Sequence, residues 1–155
     1  MELIARKIHT SLIKEGKTLA VAESCTGGSL SQLLTTYSGS SSYFLLGVVA
    51  YSNKAKEKIL KIPAQIIIKN GAVSQAVAKR MARAVRKISG ADFGIGITGI
   101  AGPTGATTDK PLGTVFIAVQ TKNKILCRRF NFKGNRSLVR KKSCQEALRL
   151  LKIFL

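Results

Sequence analysis

The chain has 155 residues, of which 45% are hydrophobic, so its length suits one domain with a buried core. Lys and Arg number 26 against seven Asp and Glu, and the net charge of +19 favours anionic partners without identifying their kind. No run of about 18 or more apolar residues occurs, and the amphipathic segment 1–8 is too mixed for a secretory signal, so the sequence predicts neither a membrane span nor export.

Hydrophobic periodicity and turn signals predict ten elements in the order α-β-α-β-α-α-β-β-β-α. The predicted ranges are 2–14, 18–23, a turn at Ser24 followed by a helix to about residue 37, then 45–51, 53–60, 74–90, 92–98, 113–121, 124–133 and a final helix after residue 135. Asn53, Ser74 and Asn135 are the expected N-caps of the last three helices, and Pro63 marks a break in the chain.

The pattern of apolar residues predicts which faces are buried. The strand 45–51 is apolar on both faces, which is typical of a strand inside a sheet. The expected inward side chains of the last two helices are Val77, Met81, Ala84, Val85 and Ile88, then Leu138, Ala147, Leu148, Leu151 and Phe154. Together the elements predict one α/β domain, a three-layer α/β/α arrangement whose mixed sheet is covered by helices on both faces.

The segment from Ala22 to Gly28 joins a candidate nucleophile, Ser24, to a glycine-rich backbone where a strand ends and a helix begins. Glycines there let a substrate approach the backbone closely, and the free N–H groups of a helix start attract an anion. Ser24 therefore has two interpretations. It is either a nucleophile beside an oxyanion hole or the N-cap of the helix.

A serine nucleophile needs a base, and the single histidine, His9, lies in the first predicted helix, far from any cysteine motif. Tyr51 and Lys56 follow the strand 45–51, so they offer a proton relay and a base. A lysine serves as a base if burial or neighbouring positive charge lowers its pKa, and we expect Lys56 in the first turn of a helix, where the macrodipole helps to lower it. The alternative is that the lysines of this helix form one exposed, solvated surface.

A second glycine-rich loop, 99–105, follows the strand that ends at Thr98, and its N–H groups could hold a phosphate. It lacks the spacing of a nucleoside-triphosphate loop and of a dinucleotide fingerprint, and the alternative is a tight connection between strands. Ligands in such sheets lie outside the carboxyl ends of strands, so we expect the segments 24–28, 51–56 and 98–105 to converge on one rim.

The residues that hold metals are scarce. Cys25, Cys127 and Cys144 are odd in number and widely spaced, which favours reduced thiols in the cytoplasm over disulfides or a zinc site. Asp and Glu are too few and too scattered for a metal cage. We therefore predict no metal and no cofactor.

Six segments occur in series along the chain: AESCTGG at 22–28, VAYSNKAK at 49–56, GAVS at 71–74, TGIAGP at 98–103, KPLGTV at 110–115 and GNR at 134–136. Together they resemble the C-terminal domain of the CinA family, which also occurs alone as a nicotinamide-nucleotide amidase. The match covers nearly the whole chain in order, and several motifs in series are more specific than any one of them.

The resemblance implies a single amidase domain over residues 1–155 that hydrolyses the carboxamide of nicotinamide mononucleotide, a step of pyridine-nucleotide salvage. The products would be nicotinate mononucleotide and ammonia. The resemblance also implies a catalytic set of Ser24, Tyr51 and Lys56, in which Lys56, linked through Tyr51, takes the proton of Ser24. A homodimer is implied as well.

Around this set we expect three N–H groups to hold the oxyanion, those of Thr26, Gly27 and Gly28. The residues expected to bind the nucleotide are Thr98, Gly99, Ala101, Gly102 and Arg136, and the arginine would grip the phosphate in a bidentate fork. The family loop tends to read Gly-Pro-x-Gly-Gly, whereas Ala106 stands at its last position here. If that position needs a positive φ, alanine costs about 1 kcal/mol.

Two other functions stay open. The last 36 residues contain eleven Lys or Arg, which suits a module that binds nucleic acid, although aromatic residues for base stacking are scarce. The chain could also be a catalytically silent relative that binds a nucleotide. Binding to duplex DNA would fall steeply with salt, whereas an amidase would be saturated by a mononucleotide.

Overall fold

A computed structural model describes residues 2–155 of the chain. It contains a sheet of five strands and six α-helices. In chain order these are α1 (Glu2–Glu15), β1 (Leu19–Glu23), α2 (Ser29–Leu34), β2 (Phe44–Val49), α3 (Asn53–Lys58), α4 (Ala64–Asn70), α5 (Gln75–Ser89), β3 (Phe93–Gly99), β4 (Thr114–Gln120), β5 (Ile125–Asn131) and α6 (Arg136–Lys152). A single 3₁₀ turn, Ser40–Ser42, precedes β2. No helix within residues 2–155 has the length and apolar character needed to cross a bilayer.

The sheet is mixed, as predicted, with the strand order β2-β1-β3-β4-β5. Strands β2, β1 and β3 are parallel, whereas β4 and β5 run antiparallel to their neighbours. Glu23 at the end of β1 pairs with Val49 on one side and Ile97 on the other. The carboxyl ends of the three parallel strands therefore meet at one edge, and the chain leaves each of them close to the other two.

Helices cover both faces of the sheet, which confirms the three-layer prediction. One layer of the core joins alternate sheet residues such as Val21 and Ile95 to buried side chains of α1, α2 and α6. On the opposite face Ala20 and Ala22 pack against Val77, Met81 and Val85 of α5. Small residues predominate on this second face because α5 lies very close to the sheet. A Cβ added at Gly94 or Gly96 would stand within 2.5 Å of the α5 backbone.

The prediction that β2 is buried on both faces is wrong. Its side chains alternate between half-buried and exposed, and Leu45 and Val49 are 46% and 47% exposed. Strand β2 is an edge strand, and the helix beside it, α2, has only six residues. Apolar composition alone does not distinguish an edge strand from a central one.

One predicted break conceals a helix. Pro63 was expected only to interrupt the chain, but α4 begins directly after it at Ala64 and buries Ile67. Pro63 has φ −58°, an angle that suits the start of a helix. The run 64–70 was too short for a periodic signal.

The three predicted N-caps have two outcomes. Ser74 and Asn135 accept hydrogen bonds from Val77 N and Leu138 N, so they cap α5 and α6 as predicted. The cap of α3 is Ser52, whose hydroxyl accepts from Ala55 N, and Asn53 is the first helical residue. Serine and asparagine are both good N-caps, so the sequence alone does not decide which of Ser52 and Asn53 caps the helix.

Most of the predicted inward side chains are buried, namely Val77, Met81, Val85, Ala147, Leu148 and Leu151. Ala84 and Phe154 are half-buried. The predictions for Ile88 and Leu138 are wrong, since these side chains are 54% and 39% exposed. Each lies in a terminal turn of its helix, where packed neighbours surround only one side.

Candidate active site

Ser24 follows β1 immediately and remains tied to the sheet through its N–H, which donates to Ile97 O at 3.0 Å. The predicted turn at Ser24 is confirmed and extends over residues 24–28, so α2 begins only at Ser29 and ends at Leu34, before the predicted end near Tyr37. Gly27 and Gly28 make this turn possible with φ values of 58° and 92°. Ser24 does not cap the helix, so its hydroxyl is free for other contacts, although only 8% of the residue is exposed.

Glu23 fixes the other end of this turn, although the sequence analysis gave it no role. Its carboxylate is fully buried and accepts four hydrogen bonds: from Gly28 N and Leu30 N at 3.1 Å, from Ser31 N at 2.8 Å and from Ser31 Oγ at 2.6 Å. The carboxylate thus satisfies the free N–H groups at the start of α2, as an N-cap side chain would. Together with the β1–β3 pairing, it holds the segment 24–28 at both ends.

Lys56 lies against the serine. Its Nζ donates to Ser24 Oγ at 3.1 Å, to Ala50 O at 2.9 Å and to Tyr51 O at 3.2 Å, and only 2% of the residue is exposed. An ammonium has three N–H groups, and these contacts use all of them. Removal from water lowers the pKa of Lys56, because burial penalises the charged form.

Of the causes expected to lower this pKa, burial is the one that acts. The expected macrodipole contribution does not act, because Lys56 lies in the last turn of the six-residue α3 rather than only in a first turn. The alternative interpretation, a wholly exposed lysine surface, is wrong for Lys56 and right for its neighbours Lys54 and Lys58.

Tyr51 differs from the expected relay. Its hydroxyl accepts from Arg136 Nη2 at 2.7 Å and has no contact with Lys56 or Ser24, and the residue is 57% exposed. The contact with Lys56 comes from the backbone carbonyl of Tyr51 instead. Proton transfer between serine and lysine therefore needs no intermediary in this geometry. The tyrosine ring lies at the mouth of the site, held there by Arg136.

The expected oxyanion donors are largely engaged elsewhere. Gly27 N donates to Ser24 O at 3.0 Å and Gly28 N donates to the Glu23 carboxylate, so neither glycine N–H is free. The N–H of Thr26 has no acceptor within residues 2–155, and neither does the N–H of Cys25. The N–H groups of both glycines are thus used in holding the turn. The two free donors belong to Cys25 and Thr26, the residues directly after Ser24.

The second glycine loop reaches the same rim. Arg136 at the start of α6 donates from Nη1 to Gly102 O at 2.8 Å, so it bridges this loop and Tyr51. Thr98 is buried and donates to Ala72 O at 2.8 Å. A Cβ at Gly99 would lie 3.1 Å from Cys25 Sγ and closer still to β4. Gly99 therefore permits the close approach of the two loops.

Ala106 does not occupy a position that requires a positive φ. The positive φ values of this loop fall at Gly102 and Gly105, at 86° and 93°, and Ala106 has none. The expected cost of about 1 kcal/mol is therefore not incurred.

A cavity of about 200 Å³ opens above Ser24. It brings together eleven residues: Ser24, Cys25, Tyr51, Asn53, Lys56, Ala72, Val73, Thr98, Gly99, Ala101 and Arg136. All three expected catalytic residues are among them, and so are four of the five expected to bind substrate. Gly102 reaches the site only through its carbonyl, and the segment 26–28 lies outside the lining.

Cys25 borders the cavity but is a poor nucleophile. Burial raises the pKa of its thiol to about 12, so it is protonated near neutral pH. No group of three or more metal-ligating side chains comes together anywhere in residues 2–155. The chemistry of the lining is that of a serine beside a buried amine, with an arginine at the mouth.

Sequence reasoning missed Arg140, which supports the turn from behind. Its Nε and Nη2 donate to Thr26 O at 3.2 and 2.8 Å, and Nη2 also donates to Ser29 Oγ at 2.8 Å. Arg140 and Thr26 are 114 positions apart in the chain, and Arg140 belongs to a run of basic residues that resembles an ordinary solvated surface. No local pattern marks it. Glu23 had a local signal, a lone acid between a strand and a Gly-Gly pair.

Comparisons with known proteins identify the family of the chain. A family model described as the CinA C-terminal domain matches residues 1–155. A CinA-like protein of Citrifermentans bemidjiense is 47% identical over 144 residues, which is 93% of this chain and 35% of that protein. The chain thus spans about a third of the length of the curated relatives it matches.

Solved structures resemble the fold closely. The competence/damage inducible protein CihA from Agrobacterium tumefaciens is 35% identical with a TM-score of 0.95, covering 98% of this chain and 93% of its own. A competence-damaged protein (CinA) superfamily protein from Escherichia coli is 32% identical with a TM-score of 0.95, covering 99% and 90%.

Proposed function

Since the chain belongs to the CinA C-terminal domain family, we propose that it is a serine amidohydrolase of pyridine-nucleotide salvage. Its substrate is nicotinamide mononucleotide, and its products are nicotinate mononucleotide and ammonia. One observation carries the proposal: the 3.1 Å contact between Lys56 Nζ and Ser24 Oγ, made where both residues are buried. The same proposal includes a cytoplasmic location and a homodimer. Light scattering measures the oligomeric state directly.

The first half-reaction uses this pair alone. Burial favours the neutral amine of Lys56, which accepts the Ser24 proton as Oγ attacks the carboxamide carbon. The Lys56 ammonium then returns that proton to the departing nitrogen, and ammonia leaves an acyl ester on Ser24. In the second half-reaction Lys56 takes a proton from water, the hydroxide attacks the ester, and Ser24 recovers its proton. The balance is one amide and one water for one acid and one ammonia.

The negative charge that develops on the carbonyl oxygen needs donors. The N–H groups of Cys25 and Thr26 have no acceptor of their own within residues 2–155 and follow the nucleophile directly in the chain. We assign the oxyanion hole to these two groups, which retains the expected role of Thr26 and replaces Gly27 and Gly28. Arg140 and Glu23 hold the turn that carries them.

The nucleotide part of the substrate lies toward Arg136. The guanidinium of Arg136 donates one N–H from Nη1 to Gly102 O and one from Nη2 to the Tyr51 hydroxyl. Its three other N–H groups remain for a phosphate. The same cavity is also lined by Thr98, Gly99 and Ala101, to which we assign contacts with the nucleotide. In the proposed complex the carboxamide lies over the serine and the phosphate lies at the open mouth of the site.

The test is release of ammonia from nicotinamide mononucleotide by the purified protein, with no metal added. We expect one nicotinate mononucleotide for each ammonia, and no release by the matched Ser24→Ala protein. Binding of the mononucleotide without ammonia release would show a catalytically silent relative. A protein that neither releases ammonia from the mononucleotide nor binds it would contradict the proposal.

A second candidate function rests on charge. Within residues 2–155 only two ion pairs occur, Lys17 with Asp92 and Arg149 with Glu146, so nearly all of the 26 basic side chains are free of acidic partners. Such a surface could bind nucleic acid. If it does, the affinity for duplex DNA should fall steeply between about 50 and 200 mM salt. An affinity for DNA that is undetectable at 50 mM salt would exclude this candidate.

A further inference from the structure

A second cavity lies behind the nucleophile turn, between α2 and α6. Its volume is about 390 Å³, nearly twice that of the cavity above Ser24 and within the range of small-molecule sites. Eight residues line it: Ser29, Gln32, Leu33, Thr36, Ser137, Arg140, Lys141 and Cys144. Ser24, Lys56 and Arg136 are not among them, so this groove is separate from the proposed active site.

The chemistry of the lining suits a phosphate. Two side chains are cations, Arg140 and Lys141, four carry hydroxyl or amide groups, and none is acidic. The side chain of Lys141 makes no ion pair with any of residues 2–155 and no hydrogen bond to them. The Ser29 hydroxyl accepts a hydrogen bond from Arg140, so its own proton stays free for an anion.

Arg140 is already in place for such a ligand. Its Nε and Nη2 are bound to Thr26 O and Ser29 Oγ, whereas both N–H groups of Nη1 have no acceptor within residues 2–155. Three existing hydrogen bonds fix the guanidinium, so an anion on its free edge immobilises no further arginine rotamers. An anion on that edge also leaves the bonds to the nucleophile turn intact.

We propose that this groove is a binding site for a phosphate monoester, distinct from the active site. Arg140 and Lys141 bind the phosphate, and the organic part occupies the remaining volume over Leu33 and Cys144. The volume argues for a monoester rather than inorganic phosphate, which would leave most of about 390 Å³ empty. The proposal does not depend on the amidase activity, because the groove shares no lining residue with the cavity above Ser24.

The experiment is calorimetric titration of the protein with AMP, which lacks the pyridine carboxamide, with adenosine and inorganic phosphate as comparison ligands. We expect AMP to bind at least tenfold more weakly to Lys141→Glu than to the wild type. Lys122→Glu, in the exposed β4–β5 turn, makes the same charge change away from the groove and should bind like the wild type. Arg136→Ala, which alters only the proposed active site, should keep the groove affinity.

Three results would overturn the proposal. The first is equal AMP affinity in Lys141→Glu and Lys122→Glu, which would mean a general effect of charge. The second is loss of AMP binding in Arg136→Ala with full binding in Lys141→Glu, which would place the phosphate in the active site. The third is inorganic phosphate binding as tightly as AMP, or adenosine as tightly as AMP, which would remove the role of one half of the ligand. Lys141 is exposed, so we expect its replacement to leave the fold intact, and circular dichroism of the variant tests this.

Discussion

Replacement of Lys56 by methionine should lower kcat for nicotinamide mononucleotide by at least about a thousandfold, as far as Ser24→Ala does. The lysine is the only base in contact with Ser24 Oγ within residues 2–155, and it is used in both half-reactions. Because the two residues act as a unit, the double variant should be no slower than either single variant. Methionine has nearly the volume of lysine, so the packing around the site is preserved.

The pH dependence gives this prediction a readout that a structural role would not produce. The pKa of Lys56 lies below its ordinary value, so the neutral amine is present at lower pH than for an exposed lysine. We expect kcat/KM of the wild type to rise with pH and to level off below the ordinary lysine pKa of about 10.4. The residual activity of Lys56→Met should lack this rise. A rise that survives in Lys56→Met would assign it to another group.

Stability should follow the same group. In the folded protein the pKa of Lys56 is lowered, so the unfolded chain binds more protons in the window between the two pKa values. The cost of burying the cation is therefore fully present below the folded pKa and disappears as pH rises towards the unfolded pKa. We expect the free energy of unfolding of the wild type to rise with pH relative to Lys56→Met. Urea denaturation at several pH values measures it.

Some contacts of the site follow from the order of strands along the chain and could be predicted from the sequence. Others join residues that are far apart in the chain and could not. The convergence of Ser24, Lys56 and Thr98 was predictable, because the carboxyl ends of the parallel strands β1, β2 and β3 meet at one rim and the motifs lie at those ends. The orientation of Tyr51 was not. Tyr51 follows β2, and no local sequence pattern shows that β2 is an edge strand. The hydroxyl of Tyr51 contacts Arg136, which is 85 positions away in the chain.

The support of the turn was harder still to predict. Arg140 reaches Thr26 only because α6 packs beside α2, and this packing depends on the whole sheet order. The oxyanion donors show a different difficulty. A glycine-rich turn at a helix start was expected to leave its N–H groups free, yet Glu23 and the turn itself consume those of Gly27 and Gly28. Sequence patterns identify donors, but only coordinates show which donors are already occupied.

Replacement of Glu23 by alanine should destabilise the protein by about 3 kcal/mol or more and should also lower kcat. The carboxylate accepts four hydrogen bonds at a fully buried position, and its loss leaves the N–H groups of Gly28, Leu30 and Ser31 without a partner. Each buried, unsatisfied donor costs about 1–3 kcal/mol. Since the same bonds hold one end of the segment 24–28, the position of Ser24 should loosen as well.

Two further variants separate the charge from the hydrogen bonds. Glu23→Gln keeps one acceptor oxygen but turns an NH2 group towards N–H donors, so its loss of stability should be intermediate. Ser31→Ala removes a single hydrogen bond and should cost about 1 kcal/mol with little change in kcat. Chemical denaturation gives the stabilities, and ammonia release gives the rates. A Glu23→Ala protein within 1 kcal/mol of the wild type would show that water replaces the carboxylate at the start of α2. If that protein also kept full activity, the turn would hold Ser24 in place through the sheet and Arg140 alone.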